Sequence, residues 1–250
     1  SYWERMPGYQ GGGATTSVDP LADIGVKRVL FGWFPTYRRH SPLPPAFDRV
    51  LSIGDASAVQ SPISFGGFCA MLRHLPRLRR GVDLALRSDS LKREDLRRLT
   101  PYLPNLGTAW MSAAAMTARA SDAPVAEPSA LVNRLLEGNF KVMDGWMPRS
   151  RAITFFRDVT TLNTLVTVLF GQTATMAPLL PSVVAELGAL ELLEFGGHLG
   201  MLALYTVMHT LAEGLADRGE LEEPAAADAD AQFRRVCQRD AWRFGSGLDA

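Results

Sequence analysis

The sequence predicts an α+β protein: a few short strands before residue 64, then a mostly α-helical remainder. Two early runs, 27–35 and 49–53, are short and rich in β-branched and aromatic residues, as strands are. From Pro62 onward the apolar residues recur instead at three- and four-residue spacing, the signature of helix. With 250 residues, 47% of them hydrophobic, the chain has ample material for a core. Its 26 basic and 26 acidic side chains cancel, which excludes both a highly charged disordered chain and the basic excess of a general nucleic-acid binder.

The elements come in this order. Residues 8–25, with Gly11-Gly12-Gly13, read as a loop. The strand over 27–35 is stopped by Pro35, and a Pro-rich turn occupies 41–46. Arg49-Val50-Leu51-Ser52-Ile53 reads as a buried strand running into Gly54-Asp55. A helix then carries Phe65, Phe68, Cys69, Leu72, Leu75 and Leu78 on its apolar face, and Pro76 is expected to kink or divide it. Further helices are expected at 90–99, 101–119, 128–147, 152–170, 176–187 and 189–217, punctuated by Pro101, Pro124, Pro148, Pro178 and Gly188. The acidic tail from Arg218 holds one short helix near 229–241.

Charge divides the chain although the total is zero. Residues 26–105 hold 14 basic and 6 acidic side chains, whereas 189–250 hold 5 basic and 11 acidic ones. The arginines at 77, 79, 80, 93, 97 and 98 form either a solvated face or a surface for anionic lipid or an acidic partner. His74, in the same basic stretch, is expected in solvent. Two cysteines, Cys69 and Cys237, cannot build a disulfide framework, and no zinc spacing, Walker motif or nucleophile–His–acid set occurs.

Two long runs carry no Asp, Glu, Lys or Arg: 159–185, 27 residues, and 195–212, 18 residues. Buried core helices, a membrane-facing surface and a membrane span all fit such runs. His198 and His209, eleven apart, fall near one helix face, as two buried hydrogen-bonded histidines or as a metal or proton-relay pair.

One block is chemically distinctive: the 49–53 run, Gly54-Asp55-Ala56-Ser57, then Gln60-Ser61-Pro62-Ile63-Ser64-Phe65-Gly66-Gly67-Phe68. Gly54 lets backbone pass close to a ligand. Asp55 offers a carboxylate to ribose or polyol hydroxyls. Ser61 or Ser64 can cap the helix, whose first turn, with Gly66 and Gly67, presents uncrowded N–H groups to an anion or carbonyl. An ordinary Asp turn and capped helix account for the same residues.

The block resembles the second flavin-contacting motif of FAD-dependent proteins of the p-hydroxybenzoate-hydroxylase type, in the geranylgeranyl reductase and lycopene cyclase branch. The stretch from Phe31-Gly32-Trp33-Phe34-Pro35-Thr36-Tyr37 through Phe65-Gly66-Gly67-Phe68 is similar to chloroplast lycopene-cyclase-like oxidoreductases of plants and green algae. Pro101-Tyr102-Leu103-Pro104-Asn105-Leu106 and Ala109-Trp110-Met111 extend the similarity, which covers roughly residues 26–120. The resemblance implies that Asp55 binds the ribityl hydroxyls of FAD. Backbone groups around Ala56 would approach the pyrophosphate, and amides near Phe65, Gly66 and Gly67 would face the pyrimidine edge of the ring. Ala58 departs from the glycine of many relatives.

A second departure is larger. The Gly-x-Gly-x-x-Gly fingerprint that holds the ADP half of FAD is missing, since Thr16 stands where Gly11 and Gly13 would need a third glycine. The chain also opens on Ser1-Tyr2-Trp3-Glu4-Arg5, unlike a signal or transit peptide. It therefore reads as the C-terminal part of a flavoprotein, with short strands that complete an FAD-binding domain. The expected division is 1–88 for the end of the FAD-binding and substrate region, 89–217 for a helical domain, and 218–250 for the tail.

The implied function is an FAD-dependent oxidoreductase, with NADPH as a further cofactor, acting on a lipophilic isoprenoid- or carotenoid-like molecule at a thylakoid or envelope membrane. The rival expectation is a non-catalytic, flavoprotein-like subunit or assembly factor of a chloroplast membrane complex. Nucleic acid is not an expected partner, and no residue is assigned a catalytic role.

Overall fold

The computed structural model describes residues 28, 43–59, 67–115, 126–156, 159–177, 181, 184, 188–217 and 228–248. The chain divides into two compact units, 1–33 and 34–250. In the first, only Arg28 is described, exposed and outside regular structure; the strand expected at 27–35 therefore lies almost wholly outside the described residues.

In the second unit the regular structure among the described residues is helical: a 3-10 turn at Gly54–Ser57, then α1 (Gly67–Arg87), α2 (Arg93–Leu96), α3 (Pro104–Ala115), α4 (Ala126–Trp146), α5 (Arg149–Phe156), α6 (Leu162–Met176), α7 (Ala189–Asp217) and α8 (Ala229–Ser246). No β-strand occurs among the described residues, so the expected α+β class is corrected to mostly α-helical. The reason is visible at 49–53. Arg49 adopts a left-handed φ of 63°. Its N–H donates to the Leu91 carbonyl in the loop between α1 and α2, 2.8 Å away, and not to a neighbouring strand. Val50 and Ile53 face solvent, and only Leu51 reaches the core. An apolar, β-branched run without a partner edge remains irregular, because strand preference is largely a preference for packing context.

Local chemistry sets several boundaries. The Asp48 carboxylate accepts from the N–H of Arg93 at 2.8 Å and so receives the start of α2. Thr161 caps α6 by accepting from the N–H of Thr164, and Asp228 caps α8 by accepting from the N–H of Ala231. At the other end of α8, Gly247 takes φ +68°, and a Cβ there would lie 2.8 Å from the carbonyl oxygen of Thr160, so glycine is required. The helix expected over 152–170 is two helices, α5 and α6, separated by the Thr161 cap. Pro76 neither divides nor ends α1, which runs through it.

The helices pack through sequence-distant pairs. α7 lies along α3 and α8; α8 also packs on α1, and α4 on α6. Leu84, Ala85, Leu96 and Leu99 meet Phe233 and Cys237 of α8 in one core cluster. Phe233 is fully buried there, a contribution of roughly 2–3 kcal/mol. Val59, Leu103 and Leu106 close around Phe244, while Met143, Met147 and Val168 join α4 to α6. Arg80 of α1 pairs with the buried carboxylate of Asp240 on α8.

Candidate functional site

The Gly54–Ser57 turn packs against α1, and between them lies a small cleft. Gly54 takes φ +60° and sits so close to α1 that a Cβ would meet Sδ of Met71 at 3.2 Å. The Ser57 hydroxyl donates back to the Gly54 carbonyl at 2.7 Å, and the Ala58 N–H donates to the Asp55 carbonyl at 3.2 Å. Ala58 is fully buried at φ +56°. A left-handed conformation costs a non-glycine residue roughly 1–2 kcal/mol. Glycine, which the resemblance expects at 58, would relieve that strain.

The expected site residues divide three ways. Gly54 lines the cleft, whereas Asp55 and Ala56 are exposed to solvent. Gly67 opens α1, but Phe65, Gly66 and the expected Ser61 or Ser64 cap lie outside the described residues. Gly54 and Asp55 therefore belong to a tight turn and not to the end of a buried strand.

The polar interior of the cleft comes from His74, Thr100 and Arg77, and Arg77, expected on the basic surface, is buried instead. His74, expected in solvent, is 1% exposed. Its ring packs on Phe244 with centroids 5.3 Å apart. The guanidinium carbons of Arg73, Arg77 and Arg243 stand 5.9, 5.5 and 6.0 Å from the same phenyl centroid. Such contacts between cations and a ring face are individually favourable by about 0.5–2 kcal/mol. Burial, followed by the charges of Arg73 and Arg77, holds His74 well below the ordinary imidazole pKa.

The tautomer is set by the neighbours. A guanidinium only donates, so the 3.3 Å contact from Arg73 makes Nε2 of His74 the acceptor and leaves the ring proton on Nδ1. That Nδ1 is buried with no hydrogen-bond partner among the described residues, as is Oγ1 of Thr100, and both residues line the cleft. An unsatisfied buried polar group costs about 1–3 kcal/mol. Arg77, also lining, donates to the Leu99 carbonyl at 2.6 Å.

A signal for this site exists in the sequence. Ala70, His74, Arg77, Gly81, Leu84 and Ala85 recur at helical spacing and form the buried face of α1. The more apolar face does not: Phe68 is 68% exposed, and Cys69, Met71, Leu72 and Leu75 are exposed with it. A hydrophobic stripe is visible in the sequence, but α8 covers the smaller, mixed one.

The free volume of the cleft is about 10 Å³, room for roughly one water molecule. An isoalloxazine ring does not fit inside it. The Asp55 carboxylate is exposed and is not among the residues that line the cleft.

On α7 the two histidines are buried. His198 hydrogen-bonds the Tyr102 hydroxyl through Nδ1, and Nδ1 of His209 lies 3.9 Å from Glu213. Burial, followed by the neighbouring Tyr205, raises the Tyr102 phenol well above its usual range. No group of three or more His, Cys, Asp or Glu side chains arranged for a metal occurs among the described residues. Cys237, buried beside Asp240, is pushed up to about 12, mainly by burial, and is a packed thiol at neutral pH. Compared with known proteins, the chain matches no family model, no curated protein and no solved structure.

Proposed function

We propose that these residues belong to an FAD-dependent oxidoreductase acting on a lipophilic, isoprenoid- or carotenoid-like molecule, in a plastid and associated with its membrane. One observation carries the reading: beside the Gly54–Asp55 turn, whose neighbours Leu51, Ala58 and Val59 pack inward, several large apolar residues are left uncovered. Val50 and Ile53 precede the turn, and Phe68, Met71, Leu72 and Leu75 line the open face of α1 beyond it. An apolar surface of that extent beside a ligand-type turn is the expected footing for a further protein layer. In the proposal that layer carries the ADP-binding fingerprint these 250 residues lack, and the ring pocket forms between the two. Asp55 takes the ribityl hydroxyls, and FAD, re-reduced by NADPH, supplies the redox chemistry.

The test is flavin content. Full-length protein purified without denaturant is expected to carry flavin absorbance, and Asp55→Ala to lose most of it on gel filtration. A colourless protein that also fails to take up added FAD would sink the reading.

A second reading, a non-catalytic subunit or assembly factor of a chloroplast membrane complex, is favoured by α7. Its 29 residues exceed the 20 or so that span a bilayer core. Only 11% of its most apolar 18-residue window, of mean hydropathy 1.2, is buried. Leu193, Leu204, Val207, Leu211 and Leu215 are exposed along it, while His198, Leu202, His209 and Ala212 face α3 and α8. Migration at complex size after mild solubilisation, with no flavin present, is the outcome this reading expects. A flavin-free monomer would remove it.

A further inference from the structure

Two residues that line the cleft, His74 and Thr100, each carry a buried polar atom with no hydrogen-bond partner among the described residues, and this is independent of any flavin. The Nδ1–H of His74 is a donor, and the Thr100 hydroxyl can donate as well. Arg77 adds a fixed positive charge to the lining, and none of the described lining residues is acidic. A cation in such a place is repelled by Arg77, whereas an oxygen that accepts two hydrogen bonds can satisfy both groups at once. The volume of about 10 Å³ admits one oxygen-sized atom and no more.

On the α1 side the rest of the described rim is apolar, while Ser52, Gly54 and Ser57 line the turn side. Val59, Ala70, Met71 and Leu78 are the apolar members, and Met71 continues outward into the exposed stripe of Leu72 and Leu75. We propose that this cleft, formed by the 54–57 turn, α1 and Thr100, binds the carboxylate of a small acid, one oxygen between His74 and Thr100 and the apolar body of the ligand along Met71. A singly charged carboxylate suits the site better than a phosphate dianion, because desolvating one charge beside a single buried guanidinium is less costly than desolvating two.

Octanoate below its micelle concentration is the probe, with acetate and octylammonium beside it. The readout is the His74 Nδ1–H resonance of the full chain in proton–nitrogen NMR, assigned in the parent chain through its couplings to the His74 ring. Octanoate is expected to shift that resonance saturably, and octylammonium is not. Saturation by acetate at the same resonance also supports the site and identifies a free small acid as its ligand. His74→Phe keeps the ring against Phe244 and Thr100→Val keeps the shape of Thr100; each is expected to weaken octanoate about tenfold, the effect of one lost charge-assisted hydrogen bond. The proposal is overturned if octanoate and acetate leave the resonance unmoved, if octylammonium moves it equally, or if both variants bind octanoate as the parent does. Because the resonance is read in the parent chain, a variant that fails to fold leaves the test intact, and absence of flavin does not touch it.

Discussion

A Cβ placed on Gly107 would stand 2.5 Å from Nδ1 of His198, with two further ring atoms at 2.8 and 2.9 Å. α3 and α7 approach as closely as a glycine permits, and the same Nδ1 is hydrogen-bonded by the Tyr102 hydroxyl from just before α3. Gly245 against the Tyr205 ring, at 2.6 Å, and Gly171 against Val142, at 2.5 Å, repeat the arrangement at α8–α7 and α6–α4. A rigid ring held on one side by a hydrogen bond cannot retreat from a new methyl. Gly107→Ala is therefore expected to destabilise the protein by about 1–3 kcal/mol in urea unfolding, as overpacked interiors do. A change below about 0.5 kcal/mol would mean that the two helices can slide apart freely.

The pair joining α1 to α8 makes an asymmetric prediction. Asp240 is almost fully buried, with 7% of its side chain exposed, whereas 52% of the Arg80 side chain is exposed. Arg80→Ala strands a buried carboxylate and is expected to cost about 1–3 kcal/mol, less than a fully buried pair because water reaches the arginine side. Asp240→Asn, which removes the stranded charge, is expected to recover part of that loss in the Arg80→Ala background. Strict additivity of the two changes in a double-mutant cycle would show that they do not interact.

His74 gives the stability a pH dependence. Buried and flanked by Arg73 and Arg77 on α1, it resists protonation in the fold, while the unfolded chain takes up a proton near the ordinary value of about 6.5. Arg243 of α8 adds positive charge across the Phe244 ring, and the nearby carboxylate of Asp240 is engaged by Arg80. Its folded pKa being depressed, this group contributes no pH dependence above about 6.5. Stability then falls as the pH drops below that value, by up to about 1.4 kcal/mol per pH unit until the folded pKa is reached. Urea midpoints of the parent and His74→Phe between pH 5 and 7.5 should diverge as pH falls, the parent losing more. Parallel curves would place the histidine outside the interior.

The two cysteines should separate cleanly by reactivity. Cys69 is exposed, and Cys237 is buried with its thiol pushed up to about 12. In the native protein at pH 8 a thiol-specific reagent is expected to label Cys69 within minutes and Cys237 only after denaturant is added. Rapid labelling of both, read by mass spectrometry of the peptides, would contradict the packing of α8 on α1.

Much of the helical order was legible along the chain. Gly188, at φ +86°, stands immediately before α7, and the charge-free run from 195 to 212 lies within it, because helix propagation depends on contacts three and four residues apart. α4 and α8 were legible for the same reason, as was the capacity of Gly54 for an unusual turn. Local pattern did not reveal what each face meets. The 49–53 run has strand composition, yet the Leu91 carbonyl and not a strand receives the Arg49 N–H. On α1, Phe68, Leu72 and Leu75 looked like the core stripe. The interior instead took His74, Arg77 and Gly81, because Phe244 and the phenyl-centred arginines of α1 and α8 lie on that side.

The cleft is the sharpest case of that division. Its turn at Gly54 could be read from sequence, but its two unsatisfied groups could not, since burial of His74 and Thr100 depends on residues contributed from far along the chain. Ser90 reaches Asp230 across 140 residues, and Arg80 reaches Asp240 across 160. The sequence by itself determined that the chain beyond residue 64 is mostly helical, roughly where α4 and α7 lie, and how charge is distributed, all properties of neighbours in the chain. Only the tertiary structure decided which face of α1 is interior, that the 49–53 run stays irregular, and that a neutral histidine sits among arginines. Those outcomes turn on which surfaces remove one another from water, and that choice is made by the whole fold at once.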